Sequence, residues 1–207
     1  MTFETRDLGT MDYLACEAVQ RETLENVIAG SLPDTLLLVE HPPVITLGAA
    51  FHAENLLRSE EELSRDGILL VKNDRGGDVT FHGPGQLVAY PIFHLDGVGR
   101  DIHRWLRLLE EVVIETLTEF GLEGRRFSPH TGVWIGDKKV CAMGVRVRRW
   151  VSMHGLALNC NVDLSYFSNI VPCGIADFGV TSMSEAAGRL CRVEDVKPVL
   201  VGAFRKI

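Results

Sequence analysis

The chain has 207 residues, of which 46% are hydrophobic and 24% are charged, so it can bury the core of one globular domain. Its formal net charge of -7 disfavours binding to nucleic acid, which depends on clustered cations. No run of residues is long and apolar enough to cross a bilayer, and the first ten residues lack the pattern of a signal peptide. We therefore expect a cytoplasmic protein that binds neither nucleic acid nor membrane.

The five cysteines are spread along the chain, at Cys16, Cys141, Cys160, Cys173 and Cys191. Their odd number and the lack of a C-x-x-C pair argue against both a disulfide framework and a zinc site. The seven histidines form no H-x-x-x-H pair, and the sequence contains no phosphate-binding G-x-x-x-x-G-K-[ST] loop. We expect reduced thiols, no metal and no cofactor.

Residues 10–30 have the pattern of an amphipathic helix that is capped by Thr10 and ends at Gly30. Its apolar face is predicted to consist of Met11, Leu14, Ala15, Ala18 and Val19. The next segment, TLLLVEHPPVITLG, is typical of two short strands separated by two prolines. A short charged helix, SEEELSRDG, and a strand, ILLVKN, follow it.

The stretch RGGDVTFHGPGQLVAYPIF, residues 75–93, concentrates glycine and proline directly before an apolar strand. One interpretation is a loop between two strands, for which glycine and proline are ordinary residues. The other is a ligand site, because residues without large side chains let the backbone approach a bound molecule. The spacing of the residues alone leaves both interpretations open.

The second half begins with the strongest helical pattern, DIHRWLRLLEEVVIETLTEFG, which ends at Gly121. Its predicted apolar face consists of Ile102, Leu106, Leu109, Val113 and Leu117. Three strand-like runs follow, the first two joined by the turn GDKK, and a closing helix contains Pro198. Because strands and helices occur in groups, we expect one α+β domain, residues 1–207, with a mixed or antiparallel sheet flanked by helices.

A basic island, RVRRW at residues 146–150, stands out in an acidic chain. It is either a solvated strand edge or a docking patch for an acidic partner.

Cys173 has the most unusual setting of the five cysteines, because a proline and a glycine flank it in VPCGI. A thiol presented in this way is a candidate nucleophile, but only its thiolate attacks well. A nearby cation or base would favour the thiolate. The residues alone leave Lys138, Lys139, His82 and His154 as candidates for that partner.

Three motifs occur in order along the chain: RGGDVTFHGPGQLVAYPIF, GDKKVCAMGVRVRRWVSMHGLALN and VPCGI. Together they resemble the lipoyl(octanoyl) transferases, the octanoyl-protein transferases of lipoate synthesis, over residues 35–181. The resemblance implies the catalytic domain fold of the biotin and lipoate protein ligases. It also implies that Cys173 is the nucleophile and that Lys139, rather than Lys138, is its partner. The sequence departs from the family at Cys141, where alanine is usual, and we interpret Cys141 as a core residue.

The resemblance implies three segments that line an acyl pocket. They are Arg75, Gly76, Gly77, Asp78, Val79, Thr80, Phe81 and His82; Ala142, Met143 and Gly144; and Gly155, Leu156 and Ala157. If the first segment is a strand, we expect Val79 or Phe81 to face the acyl chain and Thr80 and His82 to point away.

The implied reaction transfers an octanoyl group from octanoyl-acyl carrier protein to Cys173, and then to a lysine of a lipoyl domain. The implied acceptors are the lipoyl domains of 2-oxoacid dehydrogenases and the glycine cleavage H protein, and we expect the enzyme to be a monomer. Three alternatives remain open. They are an ATP-dependent lipoate or biotin ligase of the same fold, a non-catalytic acyl-binding module, and a Cys–His hydrolase that uses His154 or His82 as its base.

Overall fold

The structure is a computed structural model, and it describes residues 2–171 and 179–207. Its ten strands are β1 Glu4–Thr10, β2 Thr35–Glu40, β3 Val44–Leu47, β4 Leu69–Lys72, β5 Val79–His82, β6 Gln86–Ile92, β7 Arg125–Phe127, β8 His130–Ile135, β9 Lys138–Arg148 and β10 Val151–Asn159. Its five α-helices are α1 Tyr13–Ile28, α2 Glu60–Arg65, α3 Ile102–Glu119, α4 Met183–Ala187 and α5 Val193–Phe204. These counts refer to the described residues.

The strands form two mixed sheets. The large sheet has the order β1-β2-β6-β10-β9-β8-β7, in which β1 and β2 are parallel and every other pair is antiparallel. The small sheet has the order β4-β3-β5, with β3 parallel to β4 and antiparallel to β5. Helices flank the large sheet, so the predicted α+β class is confirmed.

The two faces of the large sheet bury different helices. Apolar residues of α3 and α5 pack together with one face of the sheet, and this core includes Trp105, Leu109 and Phe204. Apolar residues of α1 pack on the opposite face, against Val39, Val88 and other residues of β2, β6 and β10. Tyr13 of α1 packs with Val44 and Val71 of the small sheet, and residues of both sheets line the cavity described below.

Helix α1 begins later than its sequence predicts, and its buried face agrees with the predicted face only in part. Its cap is Asp12, whose carboxylate accepts hydrogen bonds from the backbone N–H groups of Leu14 and Ala15, whereas Thr10 ends strand β1. The predicted residue Leu14 is 52% exposed. The buried residues are Tyr13, Cys16, Gln20, Thr23, Leu24 and Val27. Of the predicted face, Met11 and Val19 pack against the core, whereas Leu14, Ala15 and Ala18 are exposed. The buried face includes polar residues that a search for hydrophobic periodicity passes over.

The basic island lies at the tip of the β9–β10 hairpin. Arg146 forms an ion pair with Asp74, and Arg148 forms one with Glu25. Two of its three arginines therefore contact acidic residues of the same chain, which favours the structural interpretation over a docking patch.

Among residues 2–171 and 179–207, no helix combines the length and the low charge that a membrane span requires.

Candidate active site

The fold brings the three predicted segments together around one cavity. On β9 and β10, Ala142 pairs with Ala157 and Gly144 pairs with Gly155, while the loop before β5 covers them. Of the fourteen predicted binding residues, all but Gly76 and Phe81 line this cavity. The space between the atoms that line the cavity, part of it open to solvent, is about 460 Å³.

Strand β5 turns towards the cavity the face that we expected to point away from it. Thr80 and His82 line the cavity, whereas the ring of Phe81 stacks on Tyr166 with 4.7 Å between the ring centroids. Val79 borders the cavity and also belongs to the small core that contains Phe81. The period of the strand was correct, but the predicted direction was wrong. Phe81 instead packs against the 3-10 turn at Leu164–Asn169.

Two glycines let the loop and the sheet approach each other closely. The N–H of Gly76 donates a hydrogen bond to the carbonyl of Val145 over 3.0 Å. A Cβ atom at Gly144 would overlap the carbonyl oxygen of Gly76, so a larger residue would push the loop off β9. The loop is thereby fixed over the cavity through backbone atoms.

Arg75 holds the same loop to the small sheet. Its guanidinium group donates hydrogen bonds to the hydroxyl and the carbonyl of Thr46 and to the carbonyls of Gly76 and Asp78. The side chain is buried, so these bonds are sheltered from water. The contacts indicate that Arg75 shapes the wall of the cavity.

Asp78 ties the loop to the segment that contains His52 and Asn55. Its carboxylate accepts hydrogen bonds from the Asn55 amide at 2.6 Å, from the backbone N–H of His52 and from that of Val79. Burial alone would raise the pKa of Asp78, but these bonds outweigh it and lower the pKa below its ordinary value. The residue is therefore an anion that orders the loop.

Lys139 lies beside the cavity at the start of β9. Its side chain is buried, and Nζ lies 4.7 Å from the centroid of the Trp134 ring. A smaller space lined by Lys139 shares Thr80 and Ala142 with the main cavity. On the other side, Lys139 borders an open groove between β9 and α3.

Cys173, the predicted nucleophile, lies outside the described residues. The described residues on both sides of it are anchored near the site. The N–H of Val171 donates to the carbonyl of Asn55 over 2.8 Å, and the N–H of Lys139 donates to the carbonyl of Gly179 over 2.9 Å.

The cysteines that the structure describes are all buried; they are Cys16, Cys141, Cys160 and Cys191. Burial raises the pKa of the Cys16 thiol to about 12 and raises the pKa of Cys141 and Cys160 above its ordinary value. These thiols are protonated at neutral pH. In particular, Cys141 has the setting of a core residue despite its place two residues from Lys139.

Sequence reasoning missed part of the cavity wall. Tyr13, Val88 and Tyr90 line it but belong to none of the three predicted lining segments, and His154 had been considered only as a base. Aromatic and branched residues at helical or strand spacing are usually core residues, so no local signal sets Tyr13 or Tyr90 apart.

The histidines around the cavity are held by hydrogen bonds. His82 Nδ1 lies 2.8 Å from Gln86 Oε1, and His154 Nε2 lies 2.8 Å from Asp74 Oδ1. Burial lowers the pKa of His82 to about 3 and also lowers the pKa of His154. Both imidazoles are therefore neutral at neutral pH.

The fold defines the class of the protein. A bipartite lipoate protein ligase from Thermoplasma acidophilum superimposes with a TM-score of 0.76 and 19% sequence identity, covering 99% of this chain and 84% of that one. A biotin protein ligase from Aquifex aeolicus superimposes with a TM-score of 0.61 and 16% identity, covering 98% and 69% of the two chains. The chain therefore has the catalytic domain fold of the lipoate and biotin protein ligases.

The sequence comparisons are more specific. The family described as the lipoyl protein ligase A/B catalytic domain matches residues 12–205, and this chain belongs to that family. The octanoyltransferase of Rubrobacter xylanophilus is 50% identical over 201 residues, which cover 96% of this chain and 90% of that protein. The octanoyltransferase of Geobacter metallireducens is 47% identical over 199 residues, with the same coverage. The chain is an acyltransferase of this family.

Proposed function

We propose that the enzyme transfers an octanoyl group from octanoyl-acyl carrier protein to the ε-amine of a lysine on a lipoyl domain, through a thioester on Cys173. The acceptors are the lipoyl domains of 2-oxoacid dehydrogenases and the glycine cleavage H protein. The observation that carries the proposal is the position of Lys139, buried beside a cavity that the three predicted segments surround. The high identity to octanoyltransferases supports the choice of acyl group.

The first half-reaction forms the acyl-enzyme. The thiolate of Cys173 attacks the thioester carbonyl of the donor, the new C–S bond forms, and the bond to the carrier thiol breaks. The carrier leaves as a thiolate and takes up a proton. Lys139 favours the thiolate of Cys173 as a neighbouring cation, or accepts its proton as a base.

The second half-reaction forms the product. The neutral ε-amine of the acceptor lysine attacks the acyl-enzyme carbonyl, an amide bond forms, and Cys173 leaves as the thiolate. The amine proton passes to a base, and we assign that role to Lys139. Conversion of a thioester to an amide is downhill, so the cycle consumes no ATP.

The groove beside Lys139 offers a route by which the acceptor lysine could reach the site. It is bordered by Ile102 and Leu106 of α3 and by Val145 of β9, so its walls are suited to the methylene groups of a lysine side chain. Donor and acceptor arms would use this groove in turn, while the acyl chain stays in the cavity.

A Cys–His hydrolase is less well supported. His154 pairs with Val145, six residues along β9 from Lys139, and its Nε2 is engaged by Asp74. His82 has a pKa of about 3, which makes it a weak base at neutral pH.

An assay that omits ATP separates the proposal from its alternatives. Purified enzyme is mixed with octanoyl-acyl carrier protein and a lipoyl domain, and the mass of the lipoyl domain is followed with and without ATP. The proposal predicts octanoylation at the same rate in both. Octanoylation only with ATP would indicate a ligase, release of free octanoate would indicate a hydrolase, and no turnover would indicate a binding module.

A further inference from the structure

The floor of the cavity is organised in rows across the large sheet. Ala142 of β9, Ala157 of β10 and Val88 of β6 lie side by side, since Ala157 pairs with both of the others. All three line the cavity. This row is the one nearer to Lys139, because Ala142 also lines the small space that reaches Lys139.

The next row lies two residues further along each strand. It contains the paired glycines Gly144 and Gly155 and, on β6, Tyr90, all of which line the cavity. Two residues of strand span about 7 Å, so the second row is that distance further from Lys139. The glycines leave the floor open there, whereas the phenol ring of Tyr90 is a large obstacle in the same row.

Tyr90 belongs to a continuous series of aromatic rings. Its ring centroid lies 6.0 Å from that of His41 and 6.4 Å from that of His154. His41 continues the series to Tyr13, with 5.2 Å between the centroids. We call Tyr13, His41, Tyr90 and His154 the ring wall.

Each member of the ring wall is anchored through its polar tip. The Tyr90 hydroxyl lies 2.9 Å from His41 Nε2, and His41 Nδ1 lies 2.8 Å from the carbonyl oxygen of Met11. His154 Nε2 is bonded to Asp74, and Tyr13 accepts a hydrogen bond from Asn73. All four rings are buried. A wall held in this way cannot move aside as a wall of unbranched methionine side chains can.

We propose that the ring wall is the length stop of the acyl cavity and that Tyr90 is the residue that determines acyl-chain specificity. This inference rests on the proposed function, because it assumes that the acyl chain runs from Lys139 along the two rows. A medium-length chain ends over the paired glycines in front of Tyr90. A longer chain meets the anchored ring, which neither bends nor leaves its hydrogen bond.

The test compares acyl donors of different length on two variants. Tyr90→Met keeps a bulky apolar side chain but removes both the ring and its anchor, and Tyr166→Met makes the same change in a ring that stacks on Phe81 outside the cavity. Octanoyl-, decanoyl- and dodecanoyl-acyl carrier protein are supplied separately, and transfer to the lipoyl domain is measured. We expect the wild type and Tyr166→Met to prefer octanoyl over dodecanoyl by about tenfold or more. Tyr90→Met should lose most of that preference through faster use of the long donors.

A folded Tyr90→Met enzyme with the wild-type preference would overturn the proposal. If that variant does not fold, the same donor comparison is made with Tyr90→Phe. It keeps the ring but frees it from His41, and we expect a smaller shift towards long donors, whereas an unchanged preference would overturn the length stop. If the wild type transfers no octanoyl group, the proposed function fails. The length stop is then judged by whether dodecanoic acid raises the melting temperature of Tyr90→Met but not that of the wild type.

Discussion

The adjacent glycines Gly76 and Gly77 serve different physical needs. At Gly76, a Cβ atom would lie 3.1 Å from the carbonyl oxygen of Val145, so the close approach of loop and strand requires a small residue. At Gly77 there is more room, but its φ angle is +88°, a conformation that other residues rarely adopt. The sequence predicted a special role for the pair, but only the structure separates close approach from backbone conformation.

Gly77→Ala should lower the free energy of unfolding by about 1–2 kcal/mol, because the added Cβ strains a left-handed backbone. The matched change Gly202→Ala lies in helix α5, where a Cβ atom would meet no other atom within 4 Å. That change should be neutral or stabilising by up to about 1 kcal/mol. Urea unfolding of both variants measures the difference, and equal effects would contradict this account of Gly77.

Lys139→Met should shift the pH dependence of Cys173 alkylation towards higher pH, since the variant lacks the cation proposed to favour the thiolate. Each unit by which the pKa of the Cys173 thiol rises corresponds to about 1.4 kcal/mol of interaction between Cys173 and Lys139. Lys138→Met is the control, because Lys138 is half exposed and pairs with Glu185 at 3.0 Å. Unchanged alkylation in Lys139→Met, with full transfer activity, would remove Lys139 from the mechanism.

At the scale of elements, the sequence predicts strands and helices best where local pattern and tertiary contacts agree. Helix α3 and the hairpin of β8 and β9 have clear periodicity and a clear turn, and both occur. Strand β1 was missed because its residues are mostly exposed and polar, and it forms only through parallel pairing with β2. The face of β5 was predicted wrongly because alternation fixes which residues share a face but not what that face meets.

Glu110 links helix α3 to strands β7 and β8. Its carboxylate is fully buried and contacts Arg107 at 2.7 Å and Arg126 at 3.0 Å, and it accepts a hydrogen bond from the N–H of Gly132. Glu110→Ala should lower the free energy of unfolding by about 1–3 kcal/mol, because the Gly132 donor then stays buried without an acceptor.

The neighbouring variant Glu111→Ala is the control for Glu110→Ala. Glu111 is only partly buried and, among the described residues, forms an ion pair with Arg126 alone, so its loss should cost less than about 1 kcal/mol. Urea unfolding measures both values. The slope of the free energy of unfolding against urea concentration should be the same in both variants as in the wild type. Equal losses for the two variants would show that burial of Glu110 contributes nothing.

At the scale of the whole molecule, the cavity places three buried histidines, His41, His82 and His154, in one region. Burial lowers the pKa of each below its ordinary value of 6.5, and that of His82 to about 3. At a pH between the folded pKa of a histidine and about 6.5, that histidine binds a proton in the unfolded chain but not in the folded protein. Stability is therefore full above about pH 6.5 and is lost as pH falls towards the folded pKa values.

His82→Gln should reduce this loss of stability on acidification. Where the unfolded chain is protonated and the folded one is not, one histidine contributes up to about 1.4 kcal/mol per pH unit. Urea unfolding at pH 7, 6 and 5 gives the slope for the wild type, for His82→Gln and for the control His103→Gln, which changes an exposed histidine of α3. The slope should fall only in His82→Gln; equal slopes in all three proteins would refute the linkage.

The motifs predicted most of the cavity because its walls come from segments that are local in sequence. The far end of the cavity could not be predicted in that way. Tyr13 and Tyr90 come from α1 and β6, and they meet His41 and His154 only after the sheets have formed. Long-range packing therefore supplies the part of the site to which we assign length selection.

Intact mass spectrometry tests the central claim most directly. The wild type and Cys173→Ser are each mixed with octanoyl-acyl carrier protein, without ATP and without an acceptor. The account predicts that the wild type gains the mass of one octanoyl group, which is lost again when a lipoyl domain is added and appears on that domain. Cys173→Ser should fold and gain no stable adduct. An adduct of undiminished yield on Cys173→Ser, or none on an active wild type, would contradict the thioester mechanism.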